Sequence, residues 1–304
     1  MIIGGRLNAV LAKELTTRMR GWRTAAVVTA YLGLLAAVSL LVLAGSQNSS
    51  FTSSYANESR IGLALFAALS VTQIAQILFV TPASLSDAVA GERQRQTLDL
   101  LLVTRLSSTS IVLGKLFAGL AFNVLLILCS VPLFSLVFLF GGVDVTQIVA
   151  MYLVFLSTTF LLGAMALCIS TLVRRATAST LLSLIGTLVL TVGLGIVALV
   201  AYSGSVNSAN GVPPTFPFAA YFDPLTGFIG ALSSNIGNGS ANRIFPGTNS
   251  VPFFNPIGLG LVGDQIVTNI LLGLVFLGLA IVALRPRTQP RRRAPRSAVT
   301  GRAS

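Results

Sequence analysis

Few side chains in this sequence could do chemistry. Cys129 and Cys168 both lie inside apolar runs, without CxxC spacing or a partner in a polar loop. They support neither a disulfide framework nor a zinc site and read as small core residues. Histidine is absent, which removes His-dependent triads, His metal sites and most general-base chemistry. No GxSG, HExxH or intramembrane carboxylate pair offers a nucleophile with a base, so an intramembrane enzyme is excluded. Gly114 and Lys115 look like the end of a phosphate-binding loop. However, Leu116 follows where Ser or Thr is needed, and Thr109 stands where the first glycine would be. No catalytic residue, cofactor site or metal site is therefore expected. One long stretch does combine charge, helical patterning and leucines: "ERQRQTLDLLLVTRLSSTSIVLGK", residues 92 to 115.

The elements that hold this stretch are set by hydrophobicity. With 54% hydrophobic and only 9% charged residues, and a mean hydropathy of +0.87, the chain is too apolar for a soluble domain, whose charged fraction is about a quarter. A helix needs about 20 apolar residues to cross ~30 Å of hydrocarbon. Six segments qualify, at about 24–45, 61–81, 111–140, 147–173, 177–202 and 257–284. The reading is an all-α, polytopic membrane protein with a six-helix transmembrane domain over 24–284. Lys115, near the start of the third span, is expected to snorkel to the interface, and Pro132 to kink that span.

Direction follows from basic residues. Of the 20 Lys and Arg, all but Arg60 and Arg243 fall on one side of the six spans, in the first 23 residues, the second-to-third and fourth-to-fifth connections and the tail. The positive-inside rule then places both termini in the cytoplasm. A cleaved secretory signal is not expected, because the amphipathic lead and the 22-residue apolar stretch after it are too long for one. The net charge of +12 reads as this cytoplasmic bias and not as a nucleic-acid footprint.

Residues 1–23 place Leu7, Leu11, Leu15, Met19 and Trp22 at helical spacing with basic residues between them. This predicts an amphipathic interfacial helix, anchored by Trp22, that guides the first span's insertion or forms an elbow against a cytoplasmic partner. The 203–256 connection, rich in Pro, Gly, Asn and aromatics, is expected outside, with a short helix starting at Asp223 ("DPLTGFIGALSS") and dipping into the outer interface. Residues 285–304 read as a disordered basic tail held near anionic headgroups.

Residues 82–110 form the cytoplasmic loop between the second and third spans. Placed on one helix, Glu92, Arg95, Gln96 and Asp99 share a face, with Leu98, Leu101 and Leu102 on another. "SSTS" supplies capping oxygens for a new helix near Ile111. Burying three leucines stabilises by roughly 2 kcal/mol each, so that face needs cover. Its balanced Glu, Arg and Asp neighbours suit a protein partner better than an anionic leaflet.

At these residues the chain resembles a known family. "GERQRQTLDLLLVTRLSSTSIVLGK", residues 91–115, is similar to the intracellular signature of ABC-2 type transporter permeases: an acidic-basic pair, a Thr-Leu-acid-Leu-Leu run, a Leu-Ser turn and a Gly-Lys. The six spans, the long second-to-third loop and the "AKEL" of residues 12–15 fit the same layout. The family often has Gly where Gln96 stands and Pro where Arg105 stands. The resemblance implies a permease that pairs with a second permease copy or paralogue in a prokaryotic plasma (inner) membrane and rides on a separate ABC ATPase subunit, which would hold ATP and Mg. It also implies a coupling segment of Glu92, Arg93, Thr97, Leu98, Asp99 and Leu101, with Lys13 and Glu14 as elbow contacts, and favours export.

Two further readings remain open from the residues. An ion-coupled secondary transporter would need ionisable groups or broken helices at the midplane. Asp87, Asp144 and Asp264 instead sit in loops or at helix edges. A non-transporting membrane scaffold would share the hydropathy but have no need of a docking loop.

Overall fold

The computed structural model describes residues 22–47, 54–96, 108–200, 222–233 and 260–284, which are helical almost throughout, with no strand among them. In hydrocarbon no water is available to backbone N–H and C=O groups, so each apolar segment closes its hydrogen bonds within itself as a helix. In chain order the elements are α1 (Trp22–Gln47), α2 (Ser54–Ser86), α3 (Ala90–Gln94), α4 (Ser108–Phe140), α5 (Val145–Leu172), α6 (Ala176–Leu188), α7 (Pro224–Ser233) and α8 (Gly260–Ala283). Beyond α6 the chain continues through a π-helical turn, Val189–Gly193, and then helically to Val200. The helices built on α1, α2, α4, α5, α6 and α8 are long and apolar enough to cross a membrane. The elbow at residues 1–21 and the tail at 285–304 lie outside the described residues.

α2 and α4 have 33 residues each, roughly 50 Å at 1.5 Å per residue. Both exceed the ~30 Å hydrocarbon and must project past it. α2 passes through Pro82 and ends only at Ser86, five residues beyond the expected span. Ser84 and Ser86 donate their hydroxyls to the carbonyls of Thr81 and Ala83 at 2.9 and 3.0 Å, so the last turn stays hydrogen-bonded past a proline that lacks an N–H.

α5 is the hub. Its apolar window is 78% buried against 17% for α1, so α5 faces protein on nearly all sides while α1 presents its surface to lipid. It packs mainly on α8 and α2. Phe66, Phe134, Tyr152 and Phe155 meet edge to face, with ring centroids 5.3 to 6.4 Å apart, the arrangement that aligns ring edges with ring faces. Apolar burial does not draw helices together inside lipid, so buried polar side chains contribute to the association. Asn269 of α8 donates to Ser157 and Thr158 of α5 at 3.3 and 3.4 Å. Asn123 of α4 donates to Ser84 of α2 at 3.0 Å and accepts from Thr81 at 3.2 Å.

The α4–α5 connection is a turn at Gly141 and Gly142, with φ of +73° and +86°. A side chain there would be strained, and a Cβ on Gly142 would stand 2.6 Å from the Ser59 carbonyl oxygen.

Candidate functional site at the α2–α4 junction

Between α2 and α4 the described residues form one short helix, α3. Its first backbone amides would lack partners, and a neighbouring span supplies one. The N–H groups of Val89 and Ala90 both donate to Ser170 Oγ, near the end of α5, at 3.0 Å each. All three residues are fully buried. The far end is held as well, because Gln94 Oε1 accepts from the N–H of Ala176, the first residue of α6, at 3.2 Å. Just before α3, Ser179 of α6 donates to the Ser86 carbonyl at 2.5 Å, and the hydroxyls of Ser86 and Thr180 lie 2.8 Å apart.

The charge on α3 turns inward. Glu92 Oε1 lies 2.7 Å from Lys115 Nζ on α4. Lys115 does not snorkel to the interface as expected. It is 3% exposed, beside the buried Ile111, Val112 and Leu116. An ammonium with a carboxylate across from it need not reach water, and burial of one charge requires the other.

A second expectation is corrected. Glu92, Arg95 and Gln96 do not share one helical face, because α3 stops at Gln94 and Gln96 takes φ +58°, the one non-glycine positive φ among the described residues, while Asp99 lies outside them. A left-handed residue ends an α-helix and redirects the chain. Gln96 holds the position where the resembling family often carries Gly. The sequence keeps the turn while giving up the residue that makes it easily.

Of the sequence-derived site residues, Glu92 and Arg93 lie on α3, with Arg93 half-buried. Thr97, Leu98, Asp99 and Leu101, and the elbow residues Lys13 and Glu14, lie outside the described residues. Sequence reasoning missed Ser170, Gln94 and the partnership of Lys115. Only the lysine left a signal, as a cation next to an apolar run with an acidic residue one loop away.

At the opposite end of the bundle, α7 begins directly after Asp223. Phe228 is buried and stacks on Phe155 of α5 with centroids 6.4 Å apart. Asp223 Oδ1 accepts from the Leu225 N–H at 2.9 Å, and Oδ2 from the Thr226 hydroxyl at 3.4 Å. The residue is 3% exposed, and burial lifts its pKa to about 6, the two hydrogen bonds opposing the rise.

The fold and this junction define a multi-pass α-helical membrane protein whose loop helix is fastened to three of its spans. Residues 8–286 match the family model described as ABC-2 family transporter protein, and the chain belongs to that family as an ABC transporter permease, its membrane component. No curated protein matches the sequence. Membership of a transporter family favours the permease reading over the ion-coupled and scaffold alternatives.

Proposed function

We propose that this chain is the membrane half of an ATP-driven exporter, coupled to a separate ATP-binding subunit through the segment that runs from α3 across residues 97–101. In this reading both termini face the cytoplasm of a prokaryotic cell, a second permease copy or paralogue completes the pore, and ATP with Mg is held on the ATPase. The observation that carries it is the fastening of α3. One five-residue helix is joined to α4 by Glu92–Lys115, to α5 by Ser170 and to α6 by Gln94. Force applied beneath the bilayer at the adjoining leucines would reach three spans through direct polar contacts, buried at Ser170 and more exposed at Gln94. Packed cores shift between discrete arrangements and do not deform continuously. Glu92 then acts by positioning α3 on α4, and Arg93, Thr97, Leu98, Asp99 and Leu101 form the docking surface, with Lys13 and Glu14 beside it.

Replacing Leu98 and Leu101 together by Asp, in the chain co-expressed with its cognate ATPase, tests the reading. The expected result is a permease that inserts and folds normally but no longer co-purifies with the ATPase and no longer supports nucleotide-dependent transport in vesicles. Retention of both properties would refute the docking assignment.

A further inference from the structure

At the end of the bundle that holds α3, two connections meet: the one between α2 and α4, and the turn that joins α5 to α6. Gln94 Oε1 on the first accepts from the Ala176 N–H on the second at 3.2 Å. Arg93 and Arg95 flank Gln94 in the chain, and Arg174 and Arg175 immediately precede Ala176. Four arginines from two separate loops thus gather around one hydrogen bond. Arg95, Arg174 and Arg175 are exposed, and Arg93 is half-buried.

Acid to neutralise them is scarce. Glu92 turns inward to Lys115 at 2.7 Å, and Asp87 is the one exposed carboxylate on the described part of the α2–α4 connection. The α5–α6 turn has no acid, and α6 carries none in its first turn. No ion pair joins any of the four arginines to an acid among the described residues. Like charges held together repel one another, and an oppositely charged surface relieves that repulsion.

Two observations favour a protein over a leaflet as that surface. The arginines are held in place. Besides the Gln94 bond, Ser179 of α6 donates to the Ser86 carbonyl at 2.5 Å, and Ser170 of α5 accepts from the Val89 and Ala90 amides. Preorganised charge gains most against a partner of fixed shape, whereas a fluid leaflet attracts a loose basic tail as readily. The arginines also adjoin the leucines of residues 97–101 along the chain, because Arg95 and Gln96 lead directly into them.

We propose that Arg93, Arg95, Arg174 and Arg175 form a basic surface that docks an acidic face of the ATPase subunit. The proposal rests on the exporter reading and extends it, adding the α5–α6 turn to the docking surface and giving the partner's contact face a negative charge. Exposed charges of this kind act mainly on the rate and salt dependence of docking, while the leucines supply the apolar contact.

The test measures affinity of the purified cognate ATPase for the full chain in nanodiscs of phosphatidylcholine alone, and again with phosphatidylglycerol added. Arg174→Glu combined with Arg175→Glu should weaken binding about tenfold at about 50 mM NaCl in the neutral discs, and the deficit should shrink at about 300 mM, where screening shortens the reach of charge. Both positions are exposed. If the double variant fails to fold, Arg95→Glu alone should show a smaller loss with the same salt dependence. Equal affinity of the reversed and unmodified chains in neutral discs would overturn the proposal. A deficit confined to discs containing phosphatidylglycerol would overturn it too and assign the arginines to the lipid surface. Unchanged binding by the charge-reversed chain, beside lost binding when Leu98 and Leu101 are replaced, would refute the basic surface and leave the exporter reading standing. Unchanged binding in both would sink the two together.

Discussion

Breaking the Glu92–Lys115 pair one partner at a time should show that α3 is fastened by charge. Glu92→Ala removes the carboxylate 2.7 Å from an ammonium that is 3% exposed, and removing one partner of a fully buried pair costs about 3–5 kcal/mol. Glu92's side chain is 26% exposed, so water can relax toward the cavity and the cost is better put at about 2–3 kcal/mol. Lys115→Met keeps the length and apolar stem while deleting the charge, and should cost somewhat less, because the carboxylate that remains is the wetter group. The double variant should cost well below the sum of the two, leaving a coupling of about 1–2 kcal/mol. Apparent melting in detergent, followed for all four chains at one heating rate, reads the cycle, and ATPase co-purification of each reads whether α3 keeps its position. Strictly additive losses would mean that the 2.7 Å contact carries no energy of its own, and the fastening of α3 to α4 would have to be abandoned.

Gln96→Gly should raise the apparent stability of the junction by about 0.5–1 kcal/mol, since φ +58° is free of strain only for glycine, and Gln96→Val should lower it. A lower melting temperature for the glycine variant would contradict the turn geometry. Asp223 binds its proton more tightly in the fold than unfolded, with its pKa raised from 3.8 to about 6. Stability of α7 should therefore be greatest in acid and be lost as pH rises through that window, by about 2–3 kcal/mol in all. Hydrogen exchange of amides 224–233, corrected for intrinsic rates, should be slower at pH 5 than at pH 7.5, and Asp223→Asn should abolish the difference. Persistence of the difference in the Asn variant would assign it to another group.

Composition and periodicity alone established the helical membrane architecture. An apolar run that must satisfy its own backbone in hydrocarbon has one solution, whatever its neighbours do. The signature at residues 91–115 pointed to the family for a related reason, since its charges and leucines are adjacent in the chain and need no fold to be read together.

Pairings across distance were decided only by the tertiary structure. Lys115 read as a snorkelling cation because its sequence neighbours are apolar, but Glu92, twenty-odd residues away and past a turn, is brought to 2.7 Å by packing. Ser170 read as one more small residue in a span until the end of α5 met the first backbone amides of α3. The helical face drawn from Glu92 through Arg95 and Gln96 failed at a single backbone angle at Gln96, a residue whose type gives no sign of a left-handed turn. Hydrophobicity acts locally and is legible one segment at a time. A buried charge or an uncapped amide is satisfied by whatever the fold brings beside it, and that partner exists only after the helices have packed.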